Sequence, residues 1–320
     1  MASRVIDLVR MGTSWTGLRR GAVRLFITSV LALMASCRDK PAPLPPDVSV
    51  MRGIDHVLVV SSRADTLFSL FADTFECPVV WPMADHGGFA SGGISLGNVT
   101  LEIIRDSAPK AGAAPSRFTG MALEPEPLDA CLPALTARGI AFGRPAVHRS
   151  GWFTTRWTTV ALPTVSSEDM NVFICEYGPT IRKDLPARRR RARETLDARS
   201  GGPLTLAAVQ EVVIAAQDPT RSQARWQALL HPRRSRASGE WEVGAGPAIR
   251  IASGATDTDH IAALVIRVRS IDKARAFLRS HGMLGSDEAE QLSITAPDLG
   301  SVTIQLVSAD SAGSAPDAAP

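Results

Sequence analysis

The sequence predicts an α+β protein of four βαβββ modules paired into two domains. Three features point there. An apolar strand followed by an amphipathic helix recurs four times along the chain. Short strand segments follow the helices of the first, second and fourth copies, in the first with Gly92-Gly93 and Gly97-Asn98 as breakers. The 320 residues, 45% hydrophobic and 21% charged, are ordinary globular material for about two domains.

The first module opens with a buried strand at Ile54 to Val60. Ala64, Leu67, Phe68, Phe71 and Phe75 then fall on one helical face. Two strands follow around Phe89–Leu96 and Val99–Ile104, separated by Gly97-Asn98. The second module begins at Thr119 to Glu124. Its helix is marked by Leu128, Cys131, Leu132 and Leu135 and closed by Gly139, and its later strands are Trp157–Leu162 and Val172–Tyr177. The third opens at Val209–Ala215, and its helix has Asp218 as cap and Pro219 in the first turn. The fourth runs from Ile261–Val268 through a helix at 270–280, stopped by Gly282, to Gln291–Thr295 and Val302–Val307. These segments set the expected boundaries: a leader at 1–50, domains at 51–180 and 205–308, a basic linker at 181–204 and a disordered tail at 309–320.

The net charge of +3 is local in origin. Residues 1–50 carry seven basic and three acidic groups and residues 182–199 eight and three, so the rest of the chain is net acidic. Basic charge in a leader and a linker is not a nucleic-acid footprint, and no nucleic acid is expected as partner. The run Arg188-Arg189-Arg190-Arg191 reads as a solvated linker or helix face. Cys77, Cys131 and Cys175 lie in apolar runs with no CxxC pair, as buried small hydrophobes do. Two readings of the leader stand. Arg19, Arg20 and Arg24 precede the apolar stretch Leu25 to Ala35 and then Met34-Ala35-Ser36-Cys37, which resembles a bacterial lipobox followed by a proline-rich tether. In that reading the protein is a membrane-anchored lipoprotein facing the periplasm, held through Cys37. In the other, translation starts at Met51 and the protein is cytoplasmic.

One βαβββ unit cannot bury both faces of its sheet, so units are expected to pair around a cleft. Gly53-Ile54-Asp55-His56-Val57 resembles the opening strand of the vicinal oxygen chelate superfamily, which includes glyoxalase I, extradiol dioxygenases and bleomycin-resistance proteins. Leu96-Gly97-Asn98-Val99-Thr100-Leu101-Glu102-Ile103 is similar to the last strand of the same module, and Asp85-His86-Gly87-Gly88-Phe89 to the glycine-rich segment of the glyoxalase-like subset. The resemblance covers most of residues 52–308, clearly in module one and by pattern in the others. It implies a divalent metal, Fe, Mn, Ni or Zn, held from the first and last strands of two facing modules. His56, Glu102 and Glu176 match those positions, with Glu176 also the implied base, while the fourth falls near Gly120 and supplies no ligand. Modules three and four place Glu211, Arg250, Ala263 and Gln305 there, a set without metal-binding character.

Two functions follow. One is a metal-dependent lyase, isomerase or dioxygenase acting on a small substrate with adjacent oxygens, which the ion polarises as a Lewis acid. The other is a metal-free protein that sequesters a small molecule. In either, Trp81, Trp157 and His86 are the expected substrate contacts, with Trp152 and Trp241 as further aromatic candidates to line a cleft. A homo-oligomer is compatible with both.

Overall fold

The computed structural model describes residues 48–309 except 87, 109–113, 151–153 and 236–238. The leader with Cys37, Trp152, and the tail from 310 onward lie outside the described residues. No helix among the described residues is long and apolar enough to cross a membrane.

Two curved mixed sheets carry the fold, each built from two modules. In the first half the strands are β1 (Met51–Ser61), β2 (Val79–Asp85), β3 (Ala90–Ser95), β4 (Thr100–Arg105), β5 (Ser116–Pro125), β6 (Ala146–Ser150), β7 (Thr154–Ala161) and β8 (Asn171–Tyr177). They form one eight-stranded sheet, sheet A, in the order β2-β3-β4-β1-β5-β8-β7-β6. In the second half β9 (Leu206–Ala216), β10 (Glu240–Glu242), β11 (Ala248–Ser253), β12 (His260–Val268), β13 (Leu284–Asp287), β14 (Gln291–Ile294) and β15 (Ile304–Ser308) form seven-stranded sheet B, ordered β10-β11-β9-β12-β15-β14-β13. In each sheet the opening strands of the two modules run antiparallel at the centre, and each pairs in parallel with its own module's last strand.

The helices are α1 (Ala64–Ser69, prolonged by a wider turn over Leu70–Thr74), α2 (Leu128–Ala137), α3 (Pro179–Ala198), α4 (Pro219–Leu230) and α5 (Ile271–Ser280). The caps expected from sequence form: Asp218 accepts the Arg221 N–H at 3.0 Å, and Ser270 accepts the Lys273 N–H at 3.3 Å. Alternation along the strands gives each sheet a helix face and a far face. On the helix faces Val57, Leu101, Met121 and Ile174 of sheet A and Val212, Ile249 and Leu264 of sheet B join the apolar sides of α1, α2, α4 and α5 in one buried cluster. Trp241 is part of this core, which corrects its expected place in a cleft: on three-residue β10 it alternates with Glu240 and Glu242 and takes the helix face.

The two halves dock reciprocally. The Asn98 side chain, at the β3–β4 turn, exchanges two hydrogen bonds of 2.9 Å with the backbone of Val209 on β9. In return the turn at Gly244–Gly246 packs against Arg52 to Ile54 on β1. Each turn thus covers the open edge at the start of the other half's first strand.

The basic stretch expected to be a linker is instead the twenty-residue helix α3. It packs against β2, β7 and β8 of sheet A. Ile181, Leu185, Ala192 and Leu196 recur at helical spacing on its less exposed side, and Leu196 is fully buried. All four members of the arginine run are exposed as a solvated face requires, but the head of Arg189 also reaches the sheet, pairing with Asp55 and Glu124.

Candidate functional site

The site begins with a fault in strand pairing. Ile54 faces Leu123 and His56 faces Ala122, so β1 has one residue more than β5 at Asp55. A bulge of this kind defeats alternation, and the neighbours Asp55 and His56 both project to the far face of sheet A. There His56 Nδ1 lies 2.7 Å from Asp55 Oδ2, and His56 Nε2 lies 3.2 Å from Glu102 Oε2 on the adjacent strand β4. The Tyr177 hydroxyl donates to Asp55 at 2.7 Å. Arg189, reaching down from α3, pairs with the other Asp55 oxygen and with Glu124 at 2.6 Å. The Phe173 ring meets the imidazole edge-on at 5.9 Å between centroids.

This is a closed network. The side chains of Asp55, His56 and Glu102 are 4%, 7% and 13% exposed, so little surface is left for a ligand to touch. Burial by itself would push the His56 imidazolium below its ordinary value of 6.5, but the Asp55 hydrogen bond and the Glu102 and Asp55 charges outweigh it and hold it above. Burial would likewise raise the Asp55 carboxyl, yet the His56 bond and charge and the Arg189 charge keep it below its ordinary 3.8. Tyr177 and Cys175 are both pushed well up, first by burial and then by the negative charge of Asp55. Cys175 is therefore an inert thiol, and burial likewise raises Cys77 and Cys131 to about 12.

The signs of these shifts set a pH profile. His56, raised, contributes stability that is complete below 6.5 and lost as pH rises through its folded value. Asp55, lowered, contributes above 3.8 and loses its contribution as pH falls through its folded value. The melting temperature should therefore be highest between these limits and fall as the protein is titrated upward from the ordinary histidine value. Scanning calorimetry in a pH series measures this, and a melting temperature that rises steadily into the alkaline range contradicts it.

Of the residues that the sequence singles out, the structure brings His56 and Glu102 together and leaves Glu176 apart. Tyr177 and Phe173 project to the far face, so Glu176 projects to the helix face. Its Oε1 accepts the Leu128 N–H at 3.0 Å and lies 3.5 Å from Arg182. Helix α2 has Pro127 at its N-cap, which offers no side-chain acceptor, and Glu176 supplies one from the sheet. Its assignment as base and metal ligand is corrected accordingly. Pairing register identifies the homologous position. His56 faces Thr100, with Glu102 two residues on, and Gly120 faces Asn171, with Phe173 two residues on. The bulge at Asp55 in β1 is matched by one at Thr119 in β5, which confirms Gly120 as the counterpart of His56.

The donor set does not fit the divalent ion that the resemblance implies. Two of four positions carry donors, His56 and Glu102, and both imidazole nitrogens already face carboxylates. Gly120 and Phe173 offer none, and the Arg189 cation sits beside the pair through Asp55. No cluster of three or more His, Cys, Asp or Glu side chains among the described residues is arranged to hold a metal. Trp81 and Trp157 both lie on the far face, on strands β2 and β7 that α3 contacts. Gly93 exists for Trp81: a Cβ there would stand 2.5 Å from the indole. Trp157 stacks on His148 at 5.2 Å and lies under the Arg156 guanidinium. His86 rests against Phe89 at 5.2 Å beyond the end of β2, outside the network.

Asp55, Tyr177 and Arg189 were not singled out from sequence. Asp55 and Tyr177 stand beside residues that were, one place out of the expected alternation, and Arg189 was hidden in a charge run.

No protein-family model matches this sequence, and no curated protein matches it. Solved structures do. A mutant of 4-hydroxymandelate synthase from Streptomyces coelicolor is 12% identical with a TM-score of 0.52, covering 81% of this chain and 93% of that one. Homoprotocatechuate 2,3-dioxygenase from Arthrobacter globiformis is 12% identical with a TM-score of 0.52, covering 84% and 83%. The Brevibacterium fuscum enzyme of that name, in complex with 3,4-dihydroxyphenylacetate, is 11% identical with a TM-score of 0.50 over 84% and 83%. This chain shares the fold of these 4-hydroxymandelate synthase and homoprotocatechuate 2,3-dioxygenase structures.

Proposed function

We propose that this chain is a metal-free small-molecule binding protein on the vicinal oxygen chelate scaffold. One observation carries the reading: at the positions where the resemblance implies a metal, His56 and Glu102 are bound to each other under α3, opposite Gly120 and Phe173. A pair so enclosed serves the fold, because His56 is held on its other side by Asp55, which Arg189 holds in turn. Ligand capture then falls to surfaces that no helix covers.

A second reading rests on the 3.2 Å approach of His56 to Glu102. In it a divalent Fe, Mn, Ni or Zn ion displaces the contact, and the protein is a lyase or dioxygenase. Elemental analysis after incubation with each of the four metals separates the two. The expected result is substoichiometric metal in the native protein, with native protein still binding an apolar fluorescent probe such as anilinonaphthalene sulfonate. Glu176→Ala should leave the metal content unchanged and cost about 1 kcal/mol through the lost α2 cap. Stoichiometric metal that disappears in His56→Ala overturns the proposal in favour of the enzyme.

A further inference from the structure

Beside the first turns of α4 lies a cavity of about 300 Å³, built from both halves of the chain. One wall is the helix itself: Asp218, Arg221, Ser222 and Arg225 recur at i, i+3, i+4 and i+7 on a single stripe. The other wall comes from two loops, with Ser167 and Glu168 between β7 and β8 and Thr258 and Asp259 between β11 and β12. These loops are tied to each other. The Ser167 hydroxyl donates to the Asp259 carbonyl, and the Thr258 hydroxyl donates to the Asp169 carboxylate.

Cations and anions line this cavity without neutralising one another. Neither Arg221 nor Arg225 has an ion pair or a side-chain hydrogen bond among the described residues, and Glu168 has none either. Asp259 spends one carboxylate oxygen on the Gln217 N–H at 3.2 Å, and Asp218 spends one on the α4 cap. Opposite charges that border one small space and do not pair are held apart across it. The arginines stand on α4, whose N-terminus adds its own positive field, and Glu168 and Asp259 stand on the loops opposite. Ser222 lines the cavity between the two arginines although it is only 2% exposed, and its hydroxyl makes no hydrogen bond among the described residues. A shielded hydroxyl left unpaired is costly, and a ligand oxygen would remove that cost.

We propose that this cavity binds a small polar α-amino acid in its zwitterionic form, with its carboxylate on Arg221, Arg225 and the Ser222 hydroxyl and its ammonium on Glu168 and Asp259. This rests on the binding-protein reading and names its site and ligand class. A simple anion would be repelled by the two acids and a simple cation by the two arginines, so the charge pattern selects a molecule that carries both signs. No apolar side chain among the described residues lines the cavity, which selects against a ring or a long alkyl body.

Calorimetric titration of the full chain with serine, serinamide and N-acetylserine tests it. Serine should bind one per chain. Serinamide, which lacks the carboxylate, and N-acetylserine, which lacks the ammonium, should each bind about tenfold or more weakly, as loss of a charge-assisted hydrogen bond implies. Arg225→Gln should weaken serine and leave serinamide unchanged, while Glu168→Gln should weaken serine and leave N-acetylserine unchanged. Arg225 is half-buried and Glu168 exposed, so thermal melts of both variants should stay native. Equal binding of the three probes, or full serine affinity in both variants, overturns the assignment to this cavity. So does N-acetylserine that binds more tightly than serine, since the site would then take a simple anion. In those cases, and where serine does not bind at all, retained binding of the apolar fluorescent probe leaves the wider reading standing. Failure of every probe to bind overturns both.

Discussion

Replacing Asp55 with asparagine should destabilise the protein by about 3–5 kcal/mol, the usual cost of stripping one partner from a buried ionic network. For a fold of this size the melting temperature should drop by roughly 6–20 °C. The carboxylate accepts from His56, Tyr177 and Arg189 at once. An amide can accept on its oxygen alone, and its NH2 would face the donors of His56 or Arg189. The guanidinium and the imidazole then lose the charge that offsets their burial, and the His56 titration followed by NMR should move downward. Because Glu102 still faces Nε2, His56 should keep part of its shift, which distinguishes loss of one partner from collapse of the network. An Asp55→Asn protein that melts within a degree or two of the native one would mean that this network carries no stability.

Gly120→Ala should be more damaging still, beyond about 4 kcal/mol, with little folded protein recovered. Gly120 has φ of +152° and lies against β8, where a Cβ would overlap the carbonyl oxygen of Asn171. That oxygen belongs to the backbone of a central strand and cannot move aside as a side-chain tip can. The consequence reaches the site. Gly120 is the counterpart of His56, so no side chain of any kind, metal ligand included, can stand at this position on the present backbone. Gly120→His should therefore fail to fold rather than create a metal site. A folded Gly120→Ala protein with native melting would show that β5 and β8 are more widely spaced, and would reopen the position to a donor.

The candidate site was partly legible because its most informative residues lie in segments with strong periodicity. His56 follows Gly53-Ile54-Asp55 on a buried strand, and Glu102 alternates with Leu101 and Ile103, so both could be placed by spacing. Glu176 was misplaced by the same reasoning. Along Phe173-Ile174-Cys175-Glu176-Tyr177 the hydrophobicity alternates poorly, since Cys175 and Tyr177 are apolar enough to pass for core while Glu176 looks like the polar member. Only pairing with β5 fixes which face each residue takes. The short strands β2, β6, β10 and β13 left no pattern for a related reason: edge strands bury one side at most, and Pro82 interrupts β2.

Helix α3 marks the division most clearly. Its apolar positions Ile181, Leu185, Ala192 and Leu196 repeat at helical spacing, so an amphipathic helix was present in the letters beneath the run of arginines.

By itself, then, the sequence determined four modules, their pairing, the α+β class, and the His56 and Glu102 positions, because hydrophobic period and turn residues are local properties of the chain. Tertiary structure alone decided that Asp55 joins His56 through a bulge, that Glu176 turns to cap α2, and that α3 folds back over sheet A with Arg189. Each of these depends on register between strands far apart in sequence, and a shift of one residue reverses a side chain's face without altering the local pattern that announces the strand.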